Sequence, residues 1–141
     1  MRTITQILRD SKTIAIVGLS NKPDRASHGV GEYLQEQGYR ILPVNPAYAG
    51  QQILGETVYA TLQEAADAIA GSGQRIDIVD CFRKSDDIGP IARDAIAVRA
   101  GCLWMQLDIE NQAAADLARA AGLDVVMNHC IKIEHRALQE A

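Results

Sequence analysis

The sequence is poor in several things that would each have named a class. Aromatic residues make up only 4% of the 141 residues, so a core must rest on Ile, Leu, Val and Ala. Lysine and arginine do not exceed the acids: the formal net charge is −4, against the basic face that domains wrapping nucleic acid usually carry. No apolar run approaches the ~18 residues of a membrane span. The start, MRTITQILRDSKTIAIVGL, lacks the apolar core and small-residue cleavage site of a secretory leader. Cys81, Cys102 and Cys130 are odd in number and far apart, which fits reduced thiols in the cytoplasm better than a disulfide framework. No internal repeat, low-complexity tract or linker divides the chain, and one domain over 1–141 is the expectation.

What is present is alternation. Short apolar runs rich in Ile and Val mark strands at Thr13–Val17, Arg40–Val44, Ile76–Cys81, Cys102–Leu107 and Asp124–Met127. Between them lie helical patterns. One opens near Ser27, carries Val30, Tyr33 and Leu34 on one face and stops at Gly38. The next opens on Thr61-Leu-Gln-Glu64, a capping-box pattern, and ends near Gly71. A third places Ile88, Ile91, Ala92, Ala95 and Ile96 at helical spacing, with Pro90 in its first turn. A fourth covers about Asn111–Ala121, and short helices at Ile4–Arg9 and about Ile133–Leu138 flank the whole. Asn45–Tyr59 is the longest irregular stretch.

Strand–helix alternation with right-handed crossovers predicts an α/β, doubly wound, five-stranded parallel sheet with helices on both faces. The expected strand order is 3-2-1-4-5, with a ligand crevice above the carboxyl ends of strands one and four. The residues that follow the strands are therefore the informative ones.

After the first strand runs Gly18-Leu-Ser20-Asn-Lys22-Pro-Asp-Arg25-Ala-Ser27-His28. Gly18 permits a sharp turn and close approach of a ligand. The free N–H groups at the helix start form an anion site. Ser20 and Ser27 add hydroxyls, and Lys22 and Arg25 add two positive charges. The spacing is not that of a dinucleotide fingerprint. Gly29 and Gly31 form a G-x-G inside the helix, where close helix–sheet packing is the plainer reading. Strand two ends Pro43-Val44-Asn45-Pro46, without the carboxylate that holds the ribose of NAD. A long loop with two cations suits a more highly phosphorylated ligand, although NADP stays open.

Catalysis and metal binding have little support. His28, His129 and His135 are the only histidines, and Cys130 adjoins His129, but neighbours on an extended chain point to opposite faces. No Cys or His spacing matches a structural zinc site. Neither a catalytic residue nor a metal site is therefore expected.

The stretches IAIVGLSNKPDRASHGVGEYL, GYRILPVNP, IDIVDCFRKSDD, LWMQLDIEN and AGLDVVMNHCIKIEH cover the chain from about Thr3 to Leu138. Together they resemble the small stand-alone CoA-binding proteins, which are similar in fold to the N-terminal domain of the succinyl-CoA synthetase α-subunit. The resemblance implies a Rossmann-like domain holding coenzyme A or an acyl-CoA. By that likeness Gly18, Ser20, Lys22 and Arg25 meet the phosphates, with Ser27 at the helix start. Val44, Asn45 and Pro46 flank the adenosine; Phe82 and Arg83 line the crevice; Trp104 and Gln106 lie near the pantetheine path. The 3′-phosphate of CoA would account for the extra cations.

The sequence departs from the family pattern at Asp108, where glycine is usual, and at Asn128-His129, where Asp-Arg is expected. Plainer readings stand beside the sharp ones: Trp104 as core, and Arg83 as a surface partner of Asp86 or Asp87. Three function classes follow. The first is a non-catalytic CoA-binding module. The second is a sensor of NAD or NADP. The third is a CoA-binding subunit whose catalytic groups come from another chain. The expected partner is a small nucleotide ligand rather than nucleic acid or membrane, and a homodimer or protein partner is compatible with the sequence.

Overall fold

A computed structural model describes residues 1–140. Five strands form one parallel sheet: β1 (Thr13–Val17), β2 (Arg40–Val44), β5 (Ile78–Cys81), β6 (Cys102–Met105) and β7 (Asp124–Val126). Between β2 and β5 lies a two-stranded antiparallel hairpin, β3 (Gln52–Ile53) and β4 (Glu56–Thr57). Six helices complete the chain: α1 (Ile4–Asp10), α2 (Ala26–Glu36), α3 (Leu62–Ile69), α4 (Ile88–Ala97), α5 (Gln112–Ala120) and α6 (Ile131–Glu140).

Two apolar layers sandwich the sheet, because each β-strand buries both of its faces. On one side, Ala15, Val17, Leu42, Val79, Leu103 and Met105 pack with Leu62, Ala65, Ala92, Ala95, Ala115 and Ala118 of α3, α4 and α5. On the other, Ile14, Ile16, Ile41, Ile78 and Trp104 pack with Ile7, Leu8, Val30, Leu34 and Ile131 of α1, α2 and α6. The helices start where the sequence predicts. Thr61 Oγ1 accepts from the Glu64 N–H at 3.1 Å, and Asn111 Oδ1 accepts from the Ala114 N–H at 2.9 Å. Pro90 occupies the first turn of α4, where its missing N–H is not needed.

The sheet is thus the expected doubly wound, parallel one, with its reversal at β1. Its order, however, is β2-β1-β5-β6-β7, or 2-1-3-4-5 in chain order of the five long strands. The third strand takes the place beside β1 that the order 3-2-1-4-5 gives to the fourth. Pro43 explains why. A proline has no N–H to donate to a neighbouring strand, so it belongs in an edge strand with that position facing outward. It sits in β2 at the sheet's edge, paired on one side with Ile16. The crevice therefore opens above the carboxyl ends of β1 and β5, not of strands one and four.

The stretch 45–59 is also less irregular than expected. Leu54 and Gly55 turn the β3–β4 hairpin with φ of 56° and 77°, the positive pair of a two-residue hairpin loop. Ile53 and Val58 are buried under it. Of the two glycines in α2, Gly31 does serve close packing, since a Cβ there would meet Leu54, Ile16 and Leu19 side chains at 3.0–3.4 Å, whereas Gly29 faces open space.

Candidate functional site

Parallel strands bring all their following loops to one edge. Gly18, Asn45, Phe82 and Gln106 each come directly after β1, β2, β5 and β6. Gly18 makes the first turn with φ of +92°, and its N–H donates to the Val44 carbonyl at 2.8 Å. A Cβ at this position would collide with the Phe82 carbonyl and lie 3.3 Å from Arg83 Nε. Only glycine lets the first and third strand ends come this close.

The loop after Gly18 is held by its own serines. Ser27 Oγ, buried at the start of α2, accepts from the Ser20 N–H at 2.9 Å. Ser20 Oγ in turn accepts from the Lys22 N–H at 3.1 Å. These hydroxyls, expected as ligand contacts, each accept one bond from the loop itself and keep an O–H to donate. Arg25 stands at the N-cap of α2 and supplies no side-chain cap. The first N–H groups of that helix are left for an external acceptor, and its dipole favours an anion there.

Asn45 ties the loops together. Its amide nitrogen donates to the Leu19 carbonyl at 3.1 Å, and its Oδ1 accepts from the Ala47 N–H at 3.0 Å and from Arg83 at 3.4 Å. Arg83 thus leans toward Asn45 rather than Asp86 or Asp87, and none of the ion pairs among the described residues includes it.

Three adjoining cavities open on this edge. The first, about 330 Å³, is polar and lined by Gly18, Ser20, Lys22, Arg25, Ser27, Asn45, Tyr48, Phe82 and Arg83, with Ala26. The second, about 330 Å³, lies between β2 and α4 and is walled by Val17, Val44, Pro46, Leu62 and Ile91, with Thr61, Asp87 and Asp94 on its rim. The third, about 600 Å³, is mainly aliphatic and runs from Phe82 and Arg83 past Gln106 to Cys130 and Ile133. Arg83 lines all three. Phe82 and Ala26 separate the polar cavity from the aliphatic one.

Eleven of the twelve residues singled out in the sequence line one of these cavities. Trp104 does not. It is fully buried, and its indole N–H donates to the His129 carbonyl at 2.8 Å, so it supports the crevice from beneath. Gln106 lines the aliphatic cavity, with its Oε1 accepting from the Ile131 N–H at 3.1 Å at the start of α6. The sequence reading missed Tyr48, Asp87, Asp94, Leu107, Ile109 and Ile133. Asp87 and Leu107 lie close after the strand ends and could have been drawn in on that ground. The others come from helices or loops whose facing is set by packing.

The departures are local. Asp108 has φ of +69°, the region that glycine enters without cost, and its N–H donates to Asn128 Oδ1 at 2.7 Å. Its side chain is exposed and lines none of the three cavities. His129 lies 3.5 Å from Glu134, while its neighbour Cys130 turns into the aliphatic cavity.

Below the site, Asp80 of β5 is fully buried and neither carboxylate oxygen has a hydrogen-bond partner. Burial without a partner pushes its carboxyl well above the ordinary range, which favours the neutral form. Burial likewise pushes the Cys81 and Cys102 thiols up, which makes them poor nucleophiles. Among the described residues, no group of three or more His, Cys, Asp and Glu side chains is placed to hold a metal ion. Nor is any helix long and apolar enough to cross a membrane.

A solved structure from Thermus thermophilus matches with a TM-score of 0.86 at 33% identity, over 97% of this chain and 99% of that one. A protein of Bacillus subtilis, the uncharacterized YneT, is 39% identical over 132 residues, 94% of this chain and 91% of its own. More distantly, a structure of RSP in complex with β-NADH matches with a TM-score of 0.58 at 19% identity, over 96% of this chain and 65% of that one. That last likeness is one of fold alone. The sequence pattern that defines the CoA binding domain matches residues 12–136. With nearly the whole chain inside that match, the protein belongs to the CoA binding domain family.

Proposed function

We propose that the protein binds coenzyme A, free or acylated, along the carboxyl edge of the sheet and has no catalytic activity of its own. The observation that carries this reading is the row of three unlike cavities joined at Arg83. The polar cavity suits a diphosphate. Lys22, Arg25 and Arg83 supply charge, and the uncapped start of α2 supplies N–H donors. The apolar walls of Val44, Pro46 and Ile91 suit the adenosine. The aliphatic cavity takes the pantetheine arm. Each hydrogen bond to a phosphate contributes about 1.5–3 kcal/mol, so a few of them account for much of the affinity. Free, buried Cys81 and Cys102 accord with a reducing, cytoplasmic setting.

Calorimetric titration with CoA, dephospho-CoA, NAD and NADP tests the reading. CoA is expected to bind and to stabilise the fold. A preference for NADP, with no heat from millimolar CoA, overturns it in favour of a pyridine-nucleotide sensor. Equal affinity for dephospho-CoA removes the role given to the extra cations. Activity that appears only on adding a second chain would make the protein a subunit of an acyl-CoA enzyme.

A further inference from the structure

The three cavities are unequal. The aliphatic one, at about 600 Å³, is nearly twice the volume of either neighbour, each about 330 Å³. Its polar groups are not spread evenly. Arg83 and Asp87 belong to walls shared with the neighbouring cavities, and Lys84 follows Arg83 in the chain. The remaining unshared walls are Val30, Leu107, Ile109, Cys130, Ile133 and Gln106. Of these only Gln106 is strongly polar; its oxygen accepts from the Ile131 N–H, which leaves its amide N–H groups as the one polar handle on these walls. The cavity therefore passes from polar at the Arg83 junction to aliphatic at its far end.

A pantetheine arm does not use that far end well. Its amides and hydroxyl need polar partners, which lie near the junction. Beyond them the walls offer apolar contact and little else. Leu107 and Ile133 are each 55% exposed, and they are two of the four large apolar side chains strongly exposed among the described residues. Both stand on this one cavity. Apolar surface gathered on the wall of one cavity marks a binding surface.

Resting on the CoA reading, we infer that the ligand this site favours is an aliphatic acyl-CoA rather than free CoA, with the acyl chain seated against Leu107, Ile109, Cys130 and Ile133. The phosphates anchor one end, and the length of the acyl chain sets the preference. No bond is made or broken.

The test is a calorimetric series of CoA, acetyl-CoA, butyryl-CoA, hexanoyl-CoA and octanoyl-CoA on the full chain. Affinity is expected to rise about fourfold for each added methylene until the cavity is full. In Ile133→Asp, an exposed helical position, the octanoyl-to-free-CoA affinity ratio is expected to fall at least tenfold. If CoA binds but every acyl-CoA binds no better, the inference fails and the CoA reading stands. If the series rises but Ile133→Asp leaves the ratio untouched, the chain lies elsewhere and the inference also fails. If no CoA species binds, both fall together.

Discussion

The two edges of the sheet treat their polar groups in opposite ways. At the amino edge, carboxylates are spent on the fold. Asp77 accepts from the Lys12 and Thr13 N–H groups at 2.8 and 3.0 Å and pairs with Arg75. Asp124 takes both the backbone N–H and the guanidinium of Arg2, the latter at 2.7 Å, and this hydrogen bond raises the Arg2 pKa. At the carboxyl edge, Lys22, Arg25 and Arg83 have no carboxylate within ion-pair distance among the described residues, and α2 begins without a side-chain cap. One edge pairs its charges within the protein, and the other leaves its cations open to solvent. Substitutions at the first should change stability, while those at the second should change affinity.

Gly18 belongs to both accounts and should show the largest effect. Gly18→Ala is expected to cost about 3 kcal/mol of stability in urea denaturation, through its positive φ and the Phe82 carbonyl, and to abolish CoA binding. A variant with wild-type stability would refute the close approach. Asp124→Ala should cost about 2 kcal/mol by freeing Arg2, with CoA affinity unchanged by calorimetry. Loss of affinity there would blur the division between the edges. Arg25→Ala should do the reverse: CoA binding weaker by about 1–3 kcal/mol, and a midpoint of unfolding that does not move.

The smallest effect is a slope. Asp80 is raised in the folded protein above its ordinary value of 3.8. The unfolded chain therefore loses this proton first, and stability falls as pH rises above 3.8, by at most about 1.4 kcal/mol per pH unit. Asp80→Asn should flatten that fall between pH 4 and neutrality in stability measured against pH. An unaltered slope would mean that Asp80 is ionised in the fold. His135 runs the other way. Burial lowers its pKa below 6.5, so its contribution is lost as pH drops through that region.

The elements were legible because the apolar runs are short, and the helix stops and caps are explicit. Thr61 and Asn111 both announce helix starts that the structure keeps. The strand order was less so. Hydrophobic pattern shows that the third strand is buried on both faces but not which side of β1 it takes. Pro43 carried that information through its missing N–H, a property of one residue rather than of a pattern. The polar cavity was legible in part because Gly18, Ser20, Lys22, Arg25 and Ser27 are contiguous in the chain. The aliphatic cavity was not, since Val30, Leu107 and Ile133 come from three separate segments and face it only once α2 and α6 are packed on the sheet. Trp104 shows the same limit: its place in β6 left both core and crevice open, and burial settled it.

Asn45 has a consequence for binding beyond its own contacts. One buried amide holds the ends of β1 and β2 together, starts the turn at Ala47 and steadies Arg83. The loops around the polar cavity are thus tied together within the fold itself. Their conformational entropy is lost during folding, once, and not at each binding event. Loosening that amide is expected to weaken binding through the disorder of the loops around it, over and above its own place in the cavity wall.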